Sequence, residues 1–175
     1  QLMLADLRSI FNENRDTMAR LVTTLSEYGI AFKRVEKVDK ASVDGYSFID
    51  DGKPCIVVTM RYNRIDNLAF SVLHELCHLL RHYEQGNNYR HLNIEDYDKN
   101  SSEEHEANEY AAEALIPKKL WDTAPTVKMN PIVVQRKFTK WAIECGLNPW
   151  IVLGRISHDF GLHSFRDKDV TCHVN

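Results

Sequence analysis

One stretch governs what this chain can become. Phe70-Ser71-Val72-Leu73-His74-Glu75-Leu76-Cys77-His78-Leu79-Leu80 is an almost wholly apolar run interrupted by two histidines and a glutamate. The apolar-rich segment 68–81 predicts a helix, and its composition predicts that the helix is buried. Three polar side chains in a buried helix need partners. The remainder of the fold must therefore bring ligands or hydrogen-bonding groups to this run. The alternative, two surface histidines on a helix, draws only on the chain's eight histidines, and the apolar setting argues against it.

The flanking segments suggest how such a helix is covered. Residues 2–28 predict a helix with a break near Asn12–Asn14, its apolar stripe supplied by Leu4, Leu7, Phe11, Met18, Leu21, Val22 and Leu25. Gly29 stops it, and 30–35 predicts a first strand. Turn chemistry at Asp44-Gly45 and Asp50-Asp51-Gly52-Lys53-Pro54 brackets a short strand at 46–49 and precedes a dense β-branched run at 55–60, as in a hairpin or meander. Residues 63–67 form a polar connection, with Asp66 or Asn67 as the expected N-cap of the central helix. Residues 83–100, polar and rich in Asn and Asp, predict a loop or lid.

Further helices are expected at 101–115, stopped by Pro117, and at 131–144 and 149–159, ended by Gly146 and Gly161. Residues 166–175 read as a tail. Helix, small sheet, then several helices is the order of an α+β domain rather than a doubly wound parallel sheet.

Composition removes several functional classes. The chain has 175 residues, 43% hydrophobic and 27% charged, enough for one well-packed core. Its formal net charge is −3 and its 22 Lys and Arg are scattered, so no basic footprint for nucleic acid is visible. No apolar run approaches the roughly 18–20 residues of a membrane span. The N-terminal 27 residues are amphipathic and charged throughout, unlike a secretory signal. The four cysteines form no CxxC pair, which fits a reducing cytoplasm with free thiols. The chain starts at Gln1 rather than Met, as a processed product or a fragment of a longer protein would.

His74-Glu75-Leu76-Cys77-His78 has the HExxH spacing. On a helix, residues four apart stand one above the other with Cβ atoms about 5–6 Å apart. Both imidazoles can then point a nitrogen at one metal ion about 2.0–2.1 Å away. Glu75 lies about 100° round the helix, too far to join them as an equal ligand but within reach of a water held by the metal. Zinc lowers the pKa of such a water to about 7, and the carboxylate can take its proton and pass it to a leaving amine.

A zinc site of this kind needs a third protein ligand. A local continuation of the HExxHxxGxxH type would place Arg81 at the glycine and Glu84 at the third ligand, and Arg does not supply the required turn. The other source is Glu103-Glu104-His105-Glu106-Ala107-Asn108 on the next helix. Glu104 and Asn108 share a face, so Asn108 could orient a ligating group. Ser101 with Glu104 also fits a capping box, and spacing leaves Glu104 only slightly ahead of Glu103 and Glu106.

These residues resemble the ImmA/IrrE metallopeptidase family. The resemblance rests on Lys53-Pro54-Cys55-Ile56-Val57-Val58, on residues 70–80 quoted above, and on Glu104-His105-Glu106-Ala107-Asn108-Glu109-Tyr110-Ala111-Ala112-Glu113-Ala114-Leu115-Ile116-Pro117. Asn148-Pro149-Trp150-Ile151-Val152-Leu153-Gly154-Arg155-Ile156 resembles its C-terminal Gly-Arg element. The resemblance implies a zincin-like α+β domain with a small twisted sheet and site-bearing helices. It implies zinc as cofactor, His74, His78 and Glu104 as its ligands, and Glu75 as general base. Tyr110 stands where the family usually has Phe, and 83–100 is a long polar insert between the two site helices.

The expected organisation is an N-terminal helical segment at 1–28, the metallopeptidase-like domain at 29–160 and a tail at 161–175. The resemblance implies a cytoplasmic endopeptidase that cuts a regulatory protein, with a helix-turn-helix repressor as substrate. The alternative is a regulatory or antitoxin-type binding module of a toxin–antitoxin or repressor system, with the zincin fold serving recognition. Either role implies a protein substrate or partner and no membrane. DNA would enter only through a partner or an upstream domain, since 135–156, two helices around a turn, carries core-type residues. A closed structural zinc site is disfavoured, because Cys77 is the only cysteine near the motifs.

His82, His91, His105, Tyr83 and Tyr110 are candidate donors to an oxyanion, and spacing does not choose among them. Cys77 is expected to be a buried, inert thiol. Cys172-His173 is a weak candidate for adventitious metal binding.

Overall fold

Positive-φ residues, a tight hairpin and stripes of apolar side chains divide the chain into a three-stranded sheet and a set of helices. The structure, a computed structural model, describes residues 2–36, 44–59, 62–83, 101–126, 130–166 and 171–175. The first helical segment is two helices, α1 (Leu2–Glu13) and α2 (Thr17–Glu27). Asn14 and Asp16, at φ 45° and 48°, take left-handed backbone that no helix interior tolerates, so the break is complete.

Strand β1 (Ala31–Val35) lies parallel to β3 (Lys53–Thr59), and β2 (Gly45–Asp50) lies antiparallel to β3 on its other side. The sheet order is therefore β1-β3-β2, with β2 at an edge. Asp51 and Gly52, both at positive φ (46° and 77°), make the two-residue turn between β2 and β3. Gly45 pairs with Val58 and Ser47 with Ile56, so these four residues share one face. That face is turned towards the central helix.

The central helix α3 (Ile65–Cys77) buries Ile65, Leu68, Ala69, Val72, Leu73 and Leu76. Burial of the leucines contributes about 1.5–3 kcal/mol each and fixes the face that α3 turns inward. Two expectations for this helix are corrected. It begins at Ile65, with Arg64 rather than Asp66 or Asn67 at the N-cap and no side-chain cap. The backbone N–H of Ile65 instead donates to the carbonyl of Cys172 at 2.8 Å. At the other end the α-helix passes into a π-helical turn, His78–His82, so 68–81 is not one regular helix.

Helix α4 (Ser102–Leu115) packs on α3 and buries Ala107, Ala111 and Ala114, small side chains that suit close approach of neighbouring backbones. A short α5 (Lys118–Trp121), absent from the sequence expectations, precedes α6 (Pro131–Glu144) and α7 (Pro149–Phe160). Gly161, at φ 66°, ends α7 in the left-handed conformation expected of a C-terminal glycine.

The last five residues do not behave as a free tail. The Thr17 N–H donates to the Asn175 carbonyl at 2.6 Å and the Asn14 amide to the His173 carbonyl at 2.7 Å. Residues 171–175 thus close the α1–α2 break and the start of α3 together. The four cysteines are free thiols, and among the described residues no helix is long and apolar enough to cross a membrane.

Candidate metal centre

Helix α3 presents His74 and His78 on one face, and α4 brings Glu104 across to them. His74 Nε2 lies 3.3 Å and His78 Nε2 3.2 Å from the Glu104 carboxylate, and the two Nε2 atoms are 3.1 Å apart. Four-coordinate zinc with bonds of about 2.0–2.1 Å separates its ligand atoms by about 3.3 Å. The two imidazole nitrogens face one another and one Glu104 oxygen each, Oε2 for His74 and Oε1 for His78, at separations close to those between ligand atoms of such an ion. Among the described residues these three side chains form the one such group suited to a metal ion.

The protons agree with that fit. His74 Nδ1 lies 3.0 Å from Asn108 Oδ1. An amide oxygen only accepts, so the His74 proton sits on Nδ1 and its Nε2 lone pair faces the centre. Burial disfavours the charged form of His74. The hydrogen bond to Glu104, the charges of Glu75 and Glu104 and the Asn108 contact outweigh burial and hold the imidazole above its usual pKa. That is the negative field a cation would meet.

Glu75 stands off this cluster and is nearly buried, at 8% exposure. Its Oε2 accepts a hydrogen bond from Ser47 Oγ at 2.7 Å. A Cβ on Gly45 would lie 2.9 Å from Glu75 Cγ and 3.0 Å from Oε1, so the glycine makes room for this side chain. Burial pushes the Glu75 carboxyl above its usual range, against the lowering effect of the Ser47 bond and the two histidines. The sequence reading placed Gly45 in a turn, whereas it begins β2, and gave neither Gly45 nor Ser47 a part in the site. Their signal was the period of two that puts a glycine and a small hydroxyl on one face of β2.

The neighbouring acidic residues separate clearly. Glu103 pairs with Ser102 at the surface, and Glu106 pairs with Arg81 and with His82 Nε2 at 3.2 Å. The bond from Arg81, then that from His82, holds the Glu106 carboxyl below its usual range. Ser101 Oγ accepts from the Glu104 N–H at 3.2 Å while the Glu104 side chain turns to the histidines, so only half of a capping box is formed. Glu84 and His91 lie outside the described residues.

Of the other oxyanion candidates, His105 is exposed beside Glu109 and Tyr110 lies 5.1 Å beneath the Arg81 guanidinium. His82 stands behind His78. Tyr83 donates its hydroxyl to the Ser47 carbonyl, and Glu75 lies close enough to act on it electrostatically. Burial, then the proximity of Tyr46 and Glu75, pushes its pKa up to about 12, so it remains a donor at neutral pH. Cys77 is buried and its thiol is pushed up by that burial, as expected of an inert cysteine. Cys172 and His173 make backbone contacts to Ile65 and Asn63, and among the described residues they join no metal-suited group.

A cleft of about 550 Å³ opens between α3, α4 and α7, lined in part by Phe70, Asn108, Ile151, Arg155 and His158. Phe70 leans on the His74 ring at 6.1 Å, so the cleft adjoins the centre.

No curated protein and no solved structure matches the chain. A family model does match, that of the IrrE N-terminal-like domain, over residues 26–144, which contain the HExxH segment, Glu104 and Asn108. The chain belongs to this IrrE N-terminal-like peptidase family.

Proposed function

We propose that this chain is a zinc-dependent endopeptidase acting on a regulatory protein, with His74, His78 and Glu104 as the metal ligands and Glu75 as the general base. The observation that carries the proposal is the cluster of His74, His78 and Glu104, whose imidazole nitrogens lie 3.1 Å apart and 3.2–3.3 Å from the Glu104 carboxylate oxygens, beside a buried carboxylate outside it. Two imidazole lone pairs and a carboxylate converging on one partly buried point repel one another unless a cation or added protons join them.

Bound zinc would supply Lewis acidity, acidifying water and polarising the carbonyl of the scissile bond. Glu75 accepts the proton of the attacking water and delivers it to the departing amine nitrogen. Ser47 keeps its carboxylate aimed, and burial raises its basicity above that of an ordinary glutamate. Tyr83, protonated and near Glu75, could donate to charge developing on the carbonyl oxygen by turning its hydroxyl proton away from the Ser47 carbonyl. The α3–α4–α7 cleft offers a largely apolar space for a substrate side chain.

A helix-turn-helix repressor as substrate follows from the ImmA/IrrE resemblance, and a cytoplasmic location from the free thiols. Glu75→Gln tests catalysis against a role in recognition alone. It should keep about one zinc per chain, measured by metal analysis, and lower peptide hydrolysis by about 10²–10⁴-fold. If the variant performs the cellular role as well as the wild type, proteolysis is not the function.

A further inference from the structure

The two histidines of the centre are supported differently on their far sides. His74 leans on Asn108, whereas His78 leans on another histidine. Its Nδ1 lies 2.8 Å from Nδ1 of His82, and the rings meet edge to face with centroids 4.8 Å apart. His82 Nε2 in turn lies 3.2 Å from Glu106 Oε2, and the other oxygen of Glu106 is held by Arg81. The His82 side chain is only 11% exposed. Its place at the end of the π-helical turn sets it over His78 rather than out in solvent.

We infer that His82, anchored by Glu106 and Arg81, is a positioning residue that fixes the tautomer and ring orientation of His78 for metal binding. The inference rests on the proposal that His78 Nε2 is a ligand atom, and proton counting then leaves one arrangement. With the Nε2 lone pair given to the metal, the His78 proton must sit on Nδ1 and be donated to His82 Nδ1. His82 then carries its own proton on Nε2 and donates it to a Glu106 carboxylate that Arg81 completes. Every donor meets an acceptor, and the chain of bonds ends on a charge pair at the surface.

Zinc titration against a chromophoric chelator tests the inference, with folding of each variant checked by circular dichroism. His82→Phe keeps a ring of similar size but accepts no hydrogen bond, and should weaken zinc binding by about 10–100-fold. His82→Asn keeps an acceptor near the Nδ1 position and should return most of that loss. Glu106→Ala, at a half-exposed position, should weaken binding by a smaller factor. In the zinc-loaded wild type, nitrogen-15 NMR of the imidazoles should find His82 neutral with its proton on Nε2, a signature that simple ring packing does not require.

Zinc affinity of His82→Phe equal to wild type would overturn the inference. So would folded Asn and Phe variants that are equally impaired, or a His82 proton on Nδ1. Wild type that binds no zinc would sink the metal site itself, and the inference with it.

Discussion

The two ends of α3 carry partly buried polar groups for opposite reasons. At the N-terminal end Asp66 receives both arms of the Arg64 guanidinium, Nε at 3.0 Å and Nη2 at 2.9 Å, and its negative charge suits the start of a helix. Gly154 of α7 presses on it so closely that a Cβ there would lie 2.7 Å from the Asp66 Cβ. Every acceptor at this end meets a donor. At the C-terminal end, acceptors meet acceptors: two imidazole Nε2 atoms and a carboxylate face one another within 3.1–3.3 Å. The first pattern is complete as protein and serves the fold. The second is completed only by a cation or by extra protons, which is how a ligand site differs from a buried network.

The sharpest test of that contrast is removal of one converging acceptor. Glu104→Ala should weaken zinc binding by at least about 100-fold, more than loss of an outer hydrogen-bonding partner usually costs. Competition with a chelator of known affinity measures it, and unchanged affinity would erase the distinction between the two ends. At the other end, Gly154→Ala forces a methyl group onto Asp66 and should cost about 1–3 kcal/mol of stability. Thermal unfolding should show it as a lowered melting temperature, whereas zinc affinity of the folded protein should stay at the wild-type value. A loss of zinc binding in this variant would mean the two ends are coupled through the helix.

The C-terminal end was the more legible in the sequence. The helical spacing of His74 and His78 and the offset of Glu75 follow from 3.6 residues per turn and need no knowledge of the fold. The cap at Ser101 was local as well. The choice of Glu104 over Glu103 and Glu106 was not local, because it depends on which face of α4 meets α3, and it came from the family resemblance. The N-terminal end hid for the same reason. The Ile65 N–H donates to the carbonyl of Cys172, far along the chain, so no capping residue marks where α3 begins. The π-helical turn at His78–His82 carries no sequence signal that distinguishes it from α-helix. Gly45 and Ser47 gain their meaning only from the register that sets β2 over Glu75.

That register supplies the finest test, one aimed within the C-terminal end itself. Gly45 sits where a Cβ would press on Glu75 Cγ at 2.9 Å, and the three heavy atoms nearest that Cβ all belong to Glu75. Gly45→Ala should therefore leave the ligand cluster intact while pushing the Glu75 carboxylate off its aim. A displacement of a fraction of an ångström in a proton-transfer group should lower kcat by about tenfold, since a full 1 Å misplacement can cost about 100-fold. Zinc affinity should remain at the wild-type value, because Gly45→Ala removes no ligand and no group that orients one. Steady-state peptide hydrolysis beside chelator titration separates the two quantities. A parallel fall in both would show that the base and the ligands are held as one unit rather than by β2 and α4 separately.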